Sequence, residues 1–320
     1  MKIKSLKKNK KGYLEISFSW IFAFIVGAFI LFLAIFAVTK LIKTESTSSD
    51  VETSRQIEVL LSPLETSFEE GKLTTLSTSV DSRIFSTCSA SGDFGKQTIS
   101  VNQKVYGKWS DTNTEIEFEN KYLFLDKNNE GKIFYLFSKP FDFDFKVASL
   151  IYLIPLEKKY CFKGDIPEEI SEELEQINPP NVFVEDSDND CSGNEIQVCF
   201  GNPDESCEIS VDVFEYAVIK ENKRVYYENN NALLYSAIFS SPEFYECQVK
   251  RIMLRANSLA SLYKDKLFLP SLINCNPELV SELSYFQNVL SNYEDSNDLA
   301  SVFSSAEELQ YKNNARCEAW

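Results

Sequence analysis

The stretch whose residue types converge on ligand chemistry is Asp186-Ser-Asp188-Asn-Asp190-Cys-Ser-Gly193. Carboxylates at alternate positions of a loop bring oxygens around a hard cation, as in Ca²⁺ loops. The fit to an EF-hand is incomplete. Cys191 stands at the sixth position, where the sharp turn needs glycine, and Gln197 at the twelfth, where a bidentate glutamate belongs. Asp186, Asp188 and Asp190 are thus the candidate metal ligands, for Ca²⁺. A solvated acidic loop is the default reading, and no other cofactor is indicated.

For catalysis the residues mostly exclude. The chain has no histidine, so Ser-His-Asp and Cys-His machinery and His-based metal sites are out of reach. No G-x-S-x-G, P-loop or dinucleotide fingerprint occurs. Two carboxylates flanking a glycosidic bond remain the one device this composition would supply. An enzyme is not the expectation, and no catalytic residue is assigned.

The eight cysteines, Cys88, Cys161, Cys191, Cys199, Cys207, Cys247, Cys275 and Cys317, all lie beyond residue 43. An even count without C-x-x-C spacing points to disulfides rather than a zinc site. The expected pattern has Cys191, Cys199 and Cys207 pairing locally or with Cys161. Cys247, Cys275 and Cys317 are expected to staple the C-terminal helices.

These groups are carried on a chain organised by Ile16–Thr39, which contains no charged residue. An apolar run of this length spans a bilayer as one helix. Six lysines precede it, with Glu15 the sole acid, so positive charge on the N-terminal flank keeps that end cytoplasmic. Residues from about 40 onward are then extracellular. Residues 1–43 carry eight lysines and one glutamate, net +7, against −16 for the whole chain. The remainder therefore carries −23, which repels nucleic acid.

Lys10-Lys11-Gly12-Tyr13-Leu14-Glu15, followed at once by the apolar helix, resembles a type IV pilin-like (archaeal class III) signal peptide. The resemblance covers about thirty residues and implies cleavage between Gly12 and Tyr13 after the basic residue Lys11. Glu15 would then be the third mature residue, rather than the fifth as in the bacterial pattern. It also implies self-assembly through the N-terminal helix, where Ala23-x-x-x-Gly27 gives a small-xxx-small spacing. The alternative from the residues alone is an uncleaved signal anchor.

The expected fold class is α+β: a single transmembrane helix, then an exported domain with antiparallel β-sheet and a disulfide-stapled helical C-terminus. The segments are a basic tail (1–15), the membrane helix (16–39), a linker and stalk helix (40–79), a β-rich part (80–178), a Cys-rich loop and hairpin (179–240), and a helical part (241–320). Pro179-Pro180 is the expected sub-domain boundary. Glu115–Asp126 and Lys132–Ser138 read as a hairpin around Lys127–Gly131, and Phe141-Asp-Phe-Asp-Phe145 as an alternating strand. Asp165-Ile-Pro-Glu168 reads as a capping box. Ile209–Lys220 and Arg224–Tyr227 read as a second hairpin. Helices are expected after Ser241-Pro242, after Asn276-Pro277 and from Ser305-x-x-Glu308. The favoured function is a membrane-anchored surface protein, pilin-like and structural or adhesive. A signal-anchored extracellular binding module is the alternative, and a carboxylate-based glycan hydrolase the third reading.

Overall fold

A computed structural model of the chain describes residues 18–41, 72–105, 107–110, 114–185, 191, 193–201, 207–269, 277–316 and 320. Helix α1, Phe18–Leu41, is long and apolar enough to cross a membrane, and all its side chains are exposed. It belongs to a unit, Met1–Ser48, separate from the compact unit Ser49–Trp320. The expected stalk, residues 51–61, lies outside the described residues.

The compact unit is α+β, with two sheets. The first contains β1 (Thr74–Ser89), β2 (Lys96–Val105), β3 (Lys108–Trp109), β4 (Thr114–Phe118), β5 (Tyr122–Phe124), β6 (Asn129–Asp142) and β7 (Lys146–Pro155). Its order is β3-β2-β1-β6-β7-β5, with β4 also on β2. Every pairing is antiparallel except β5 with β7. Two expectations fail here. The sheet starts at Thr74, not at 80, and the hairpin across Lys127–Gly131 does not form. β5 instead lies parallel to β7, and β6 sits between β1 and β7. Phe141–Phe145 is not one alternating strand: Phe141 and Asp142 end β6, and residues 143–145 form the bend that joins it to β7. Its three phenylalanines still share one side, packing on the helices through Phe286 and Phe303.

The sheet curls around its own apolar cluster, built from Leu76, Ile84, Ile99, Val101, Phe118, Leu123, Phe134 and neighbours. Where it curls, β2 meets β5 through a side chain rather than a strand pair. The buried Gln97 amide donates to the Leu123 carbonyl at 2.7 Å and accepts from the Leu123 N–H at 3.0 Å. One glutamine thus replaces two ladder bonds and leaves no orphaned backbone group at that position.

The second sheet has β8 (Tyr160–Gly164), β9 (Val182–Val184), β10 (Ile196–Phe200), β11 (Ile209–Asp212), β12 (Ala217–Lys220) and β13 (Lys223–Tyr226), ordered β13-β12-β11-β10-β8-β9. Here the antiparallel expectation is corrected, because β9, β8, β10 and β11 are mutually parallel. The crossover from β8 to β9 is made by α2, Glu168–Ile177, as parallel neighbours require. Pro167 occupies its N-cap without a side-chain bond, so the capping box at Asp165 does not form. Gly164 closes β8 with φ +88°, and a Cβ there would lie 2.3 Å from the Phe200 carbonyl oxygen. The expected second hairpin forms only in part: its turn falls on Glu221 and Asn222, both with positive φ, as a type I′ turn demands, but the arm expected as Ile209–Lys220 is broken by a turn at 213–216 into β11 and β12, which pair with each other.

Between the sheets lies α3, Asn231–Phe239, a helix that the sequence pattern did not announce. Residues 232–239 are all buried. Phe239 alone lies 5.1–6.4 Å, centroid to centroid, from Phe137, Tyr152, Tyr160, Phe162 and Tyr235. Asn230 caps its start by accepting from the Leu233 N–H, and Lys220 caps its end by donating to the carbonyls of Ile238 and Ser240. Since α2, β9 and α3 share this core, Pro179-Pro180 separates no sub-domains.

The last third is helical: α4 (Pro242–Lys266), α5 (Pro277–Ser291) and α6 (Leu299–Arg316). The α6 start is a correction, since the helix begins six residues before Ser305, whose hydroxyl donates back to Val302 O. Arg251 on α4 is fully buried and donates to the carbonyls of Phe118, Glu119 and Lys121, tying α4 to the first sheet.

Among the described residues there are three disulfides. Cys161–Cys191 and Cys199–Cys207 are the local pairs expected. Cys247 is a correction. It joins Cys88 on β1 rather than another helix, across 159 residues of sequence. Cys275 and Cys317 lie outside the described residues.

Candidate functional site

The sequence-nominated residues Asp186, Asp188 and Asp190, and the processing residues Lys11, Gly12, Tyr13 and Glu15, lie outside the described residues. Among the described residues no three acidic or cysteine side chains are close enough to hold a metal ion.

The structure instead brings together a polar cavity of about 350 Å³ that the sequence did not single out. Its lining comes from Glu169, Glu172, Glu173, Gln176 and Ile177 of α2, Lys139 of β6 and Asn231 at the start of α3. Helical spacing explains the α2 contribution. Ile170, Leu174 and Ile177 face the core at one helical stripe, which turns residues 169, 172, 173 and 176 to the adjacent face. The readable signal was therefore an acidic stripe beside an apolar one, a pattern that ordinary solvated helices share.

Most of this polarity is internally satisfied. Lys139 Nζ grips both Glu173 oxygens, at 2.5 and 2.6 Å. The Tyr235 hydroxyl donates to the same carboxylate at 3.1 Å, and Asn231 Nδ2 donates to Glu169 at 3.3 Å. Burial, followed by the charge of Glu173, pushes the Tyr235 phenol far up, so it stays a neutral donor. The three carboxylates hang from one helix, and the other walls supply an ammonium and an amide. Glycoside hydrolysis needs acids on two sides of a bond. This lining has them on one.

A second polar centre is structural. Asp126 accepts from Lys158 Nζ at 2.8 Å and lies 3.7 Å from Lys220 Nζ. Burial opposes charge on Asp126, but Lys220 and Lys158 outweigh it and hold the carboxyl below its usual range. Burial, aided by Lys158, pulls the Lys220 ammonium down. This cluster joins the β5–β6 connection, β12 and the end of α3.

On α1, Trp20, Ala23, Phe24, Gly27, Ala28 and Leu31 line a shallow apolar groove. They follow i, i+3, i+4, i+7 spacing, with small residues at its floor, so another helix would approach closely there. A Cβ on Gly27 would meet nothing within 4 Å.

No protein-family model matches the chain, and no curated protein or solved structure matches it either.

Proposed function

We propose that this protein is a single-pass surface protein, anchored by α1 with its N-terminus in the cytoplasm and its disulfide-locked domain outside the cell, and that it serves as a pilin-like structural or adhesive subunit. The observation that carries this reading is α1 itself. It is a helix of 24 residues, about 36 Å at ~1.5 Å per residue, with every side chain exposed. In water such a helix would expose far more contiguous apolar surface than a soluble monomer tolerates. Lipid is the environment that removes the cost.

Compartment is argued from chemistry. Six of the eight cysteines are joined in three disulfides, and disulfides persist on the oxidising side of a membrane. The lysine-rich N-terminal flank agrees with that orientation. The pilin-like element rests on the Lys11-Gly12-Tyr13 junction and on the small-residue groove of α1.

The test is the N-terminal peptide of the mature protein from native membranes, read by mass spectrometry. A start at Tyr13 supports pilin-type processing. A start at Met1 removes it and leaves a plain signal anchor bearing a binding module.

A further inference from the structure

Among the described residues Arg251 is the one charged side chain with no solvent exposure, and no carboxylate pairs with it. Its donors go to the carbonyls of Phe118, Glu119 and Lys121 and to Gln248 Oε1 at 2.6 Å, while Nε is buried without a partner. The bond to Gln248, three residues back on α4, shows that the guanidinium leans toward the start of the helix. Cys247 stands on that same turn, four residues before Arg251 and therefore on its face of α4. The end of β1 approaches from the other side. A Cβ on Gly95 would lie 2.8 Å from Arg251 Cγ and 2.5 Å from the carbonyl oxygen of Ser89, the residue after Cys88. The Cys88–Cys247 bridge thus joins two elements that both pack on one buried cation.

We propose that Cys88–Cys247 is a redox-labile bridge, opened by an external dithiol with Cys247 leaving as a thiolate that Arg251 stabilises. The attacking thiolate bonds to Cys88 Sγ, the Sγ–Sγ bond breaks, and its electron pair leaves on Cys247. The second thiol of the reductant then displaces Cys88, so two electrons pass from the dithiol to the bridge. A better-stabilised leaving thiolate speeds the first step, and a cation held out of water is poorly screened. The other charges around Cys247 are already engaged or positive. On α4, Glu243 is held by Lys223 and lies 3.6 Å from Lys127, Glu246 accepts from Ser296, and Lys250 adds a cation one turn on. Lys96 on β2 pairs with Glu117, Lys121 lies over the Phe118 ring, and Glu119 acts on Arg251 through space. Access favours the same bridge. Cys88 and Cys247 are both half-buried, whereas the other two bridges each contain a buried cysteine, Cys161 or Cys199. Opening unclips β1 from α4, but Arg251 and the Gln248 amide, which donates to Leu123 O at 3.1 Å, still tie α4 to the first sheet. The domain therefore loosens locally, and nothing in this depends on how the N-terminus is processed.

The test is reduction of the full chain in native membranes by limiting dithiothreitol near neutral pH, with acid quenching, thiol alkylation and peptide mass spectrometry. Cys88–Cys247 is expected to open about tenfold faster than Cys161–Cys191 and Cys199–Cys207. Cys88→Ser separates charge from access, because the alkylation rate of the freed Cys247 against pH reads its thiol pKa. That value is expected about one unit or more below the ordinary ~8.5. Arg251→Met in the same background is expected to return it to the ordinary range, and Arg251→Lys to keep it low. The first two measurements leave Arg251 in place, so they decide the matter even where its replacements fail to fold. Opening no faster than the other bridges, or a Cys247 thiol at or above the ordinary value, overturns the proposal. So does a low value that Arg251→Met, still folded by its melting curve, leaves unchanged.

Discussion

Helices α1 and α3 carry the same kind of sequence and opposite surroundings. Both are apolar around most of their circumference, so neither has the one-sided stripe of a surface helix. In α3 the protein itself supplies the cover, with two sheets and α4 closing over residues 232–239. In α1, more than twice as long, every side chain is exposed. An all-round apolar helix needs an apolar medium on every side. Helix α3 finds it inside the fold, and the proposed anchoring gives it to α1 in lipid.

The largest effect that would break this comparison comes from one charge placed in each helix. Ile238→Asp buries an unpaired carboxylate at a fully buried position of α3, and the domain is expected not to fold. Ile30→Asp costs roughly 3 kcal/mol of membrane insertion at mid-helix and leaves the domain's thermal unfolding unchanged. Membrane fractionation and a melting curve on both variants separate the two outcomes. Equal melting losses would mean that α1 is also a packed part of the domain.

Next in size is the staple between the first sheet and α4. Replacing Cys88 and Cys247 together by serine is expected to lower unfolding free energy by about 2–5 kcal/mol, since the bridge closes a long loop. Denaturant titration measures it. Peptide mapping without reduction should return Cys88–Cys247, Cys161–Cys191 and Cys199–Cys207.

What the sequence made legible follows from locality. The α1 span needed only length and absence of charge. Helices α4 and α5 showed a 3.6-residue stripe behind a proline, and the β12–β13 turn showed a polar triplet between strands. The disulfides Cys161–Cys191 and Cys199–Cys207 were close in sequence. The rest was set by distant partners. Residues 232–239 have no apolar period, because every side is buried, so α3 carried no helical signature. β5 looked like one arm of a hairpin with β6, but its partner is β7, and Gln97 from β2 fills the gap a neighbouring strand would have filled. Cys88–Cys247 had no local mark. In the cavity, Lys139 and Asn231 come from elements remote from α2, so only its acidic stripe was visible, and a solvated helix face accounts for such a stripe equally well.

A smaller effect sharpens the account of that gap. Gln97→Leu keeps the volume but strands the Leu123 N–H in the interior, for an expected loss of about 1–3 kcal/mol. The Leu123 carbonyl keeps its bond from Gln248, so the cost should be that of one orphaned group rather than two. Chemical denaturation of the single variant reads it.

The smallest effect is on pH dependence. The Asp126 carboxyl is depressed in the folded state, so the unfolded chain takes up its proton first as pH falls. Its stabilisation is therefore fully present above the ordinary carboxyl pKa and is lost as pH drops through the folded value. Asp126→Asn is expected to flatten that acid limb of the stability curve. An unchanged limb would assign the acid response to other carboxylates.

The central claim is that a membrane divides the lysine-rich tail from the disulfide-locked domain. Its most direct test is amine labelling of intact cells with a membrane-impermeant reagent, read by peptide mass spectrometry. Lys96, Lys127 and Lys223, each about half exposed, should be labelled, as should other surface lysines of the domain. Any lysine retained from Lys2 to Lys11 should react only after lysis. Labelling of the tail with protection of the domain, or reaction of neither before lysis, would contradict the account.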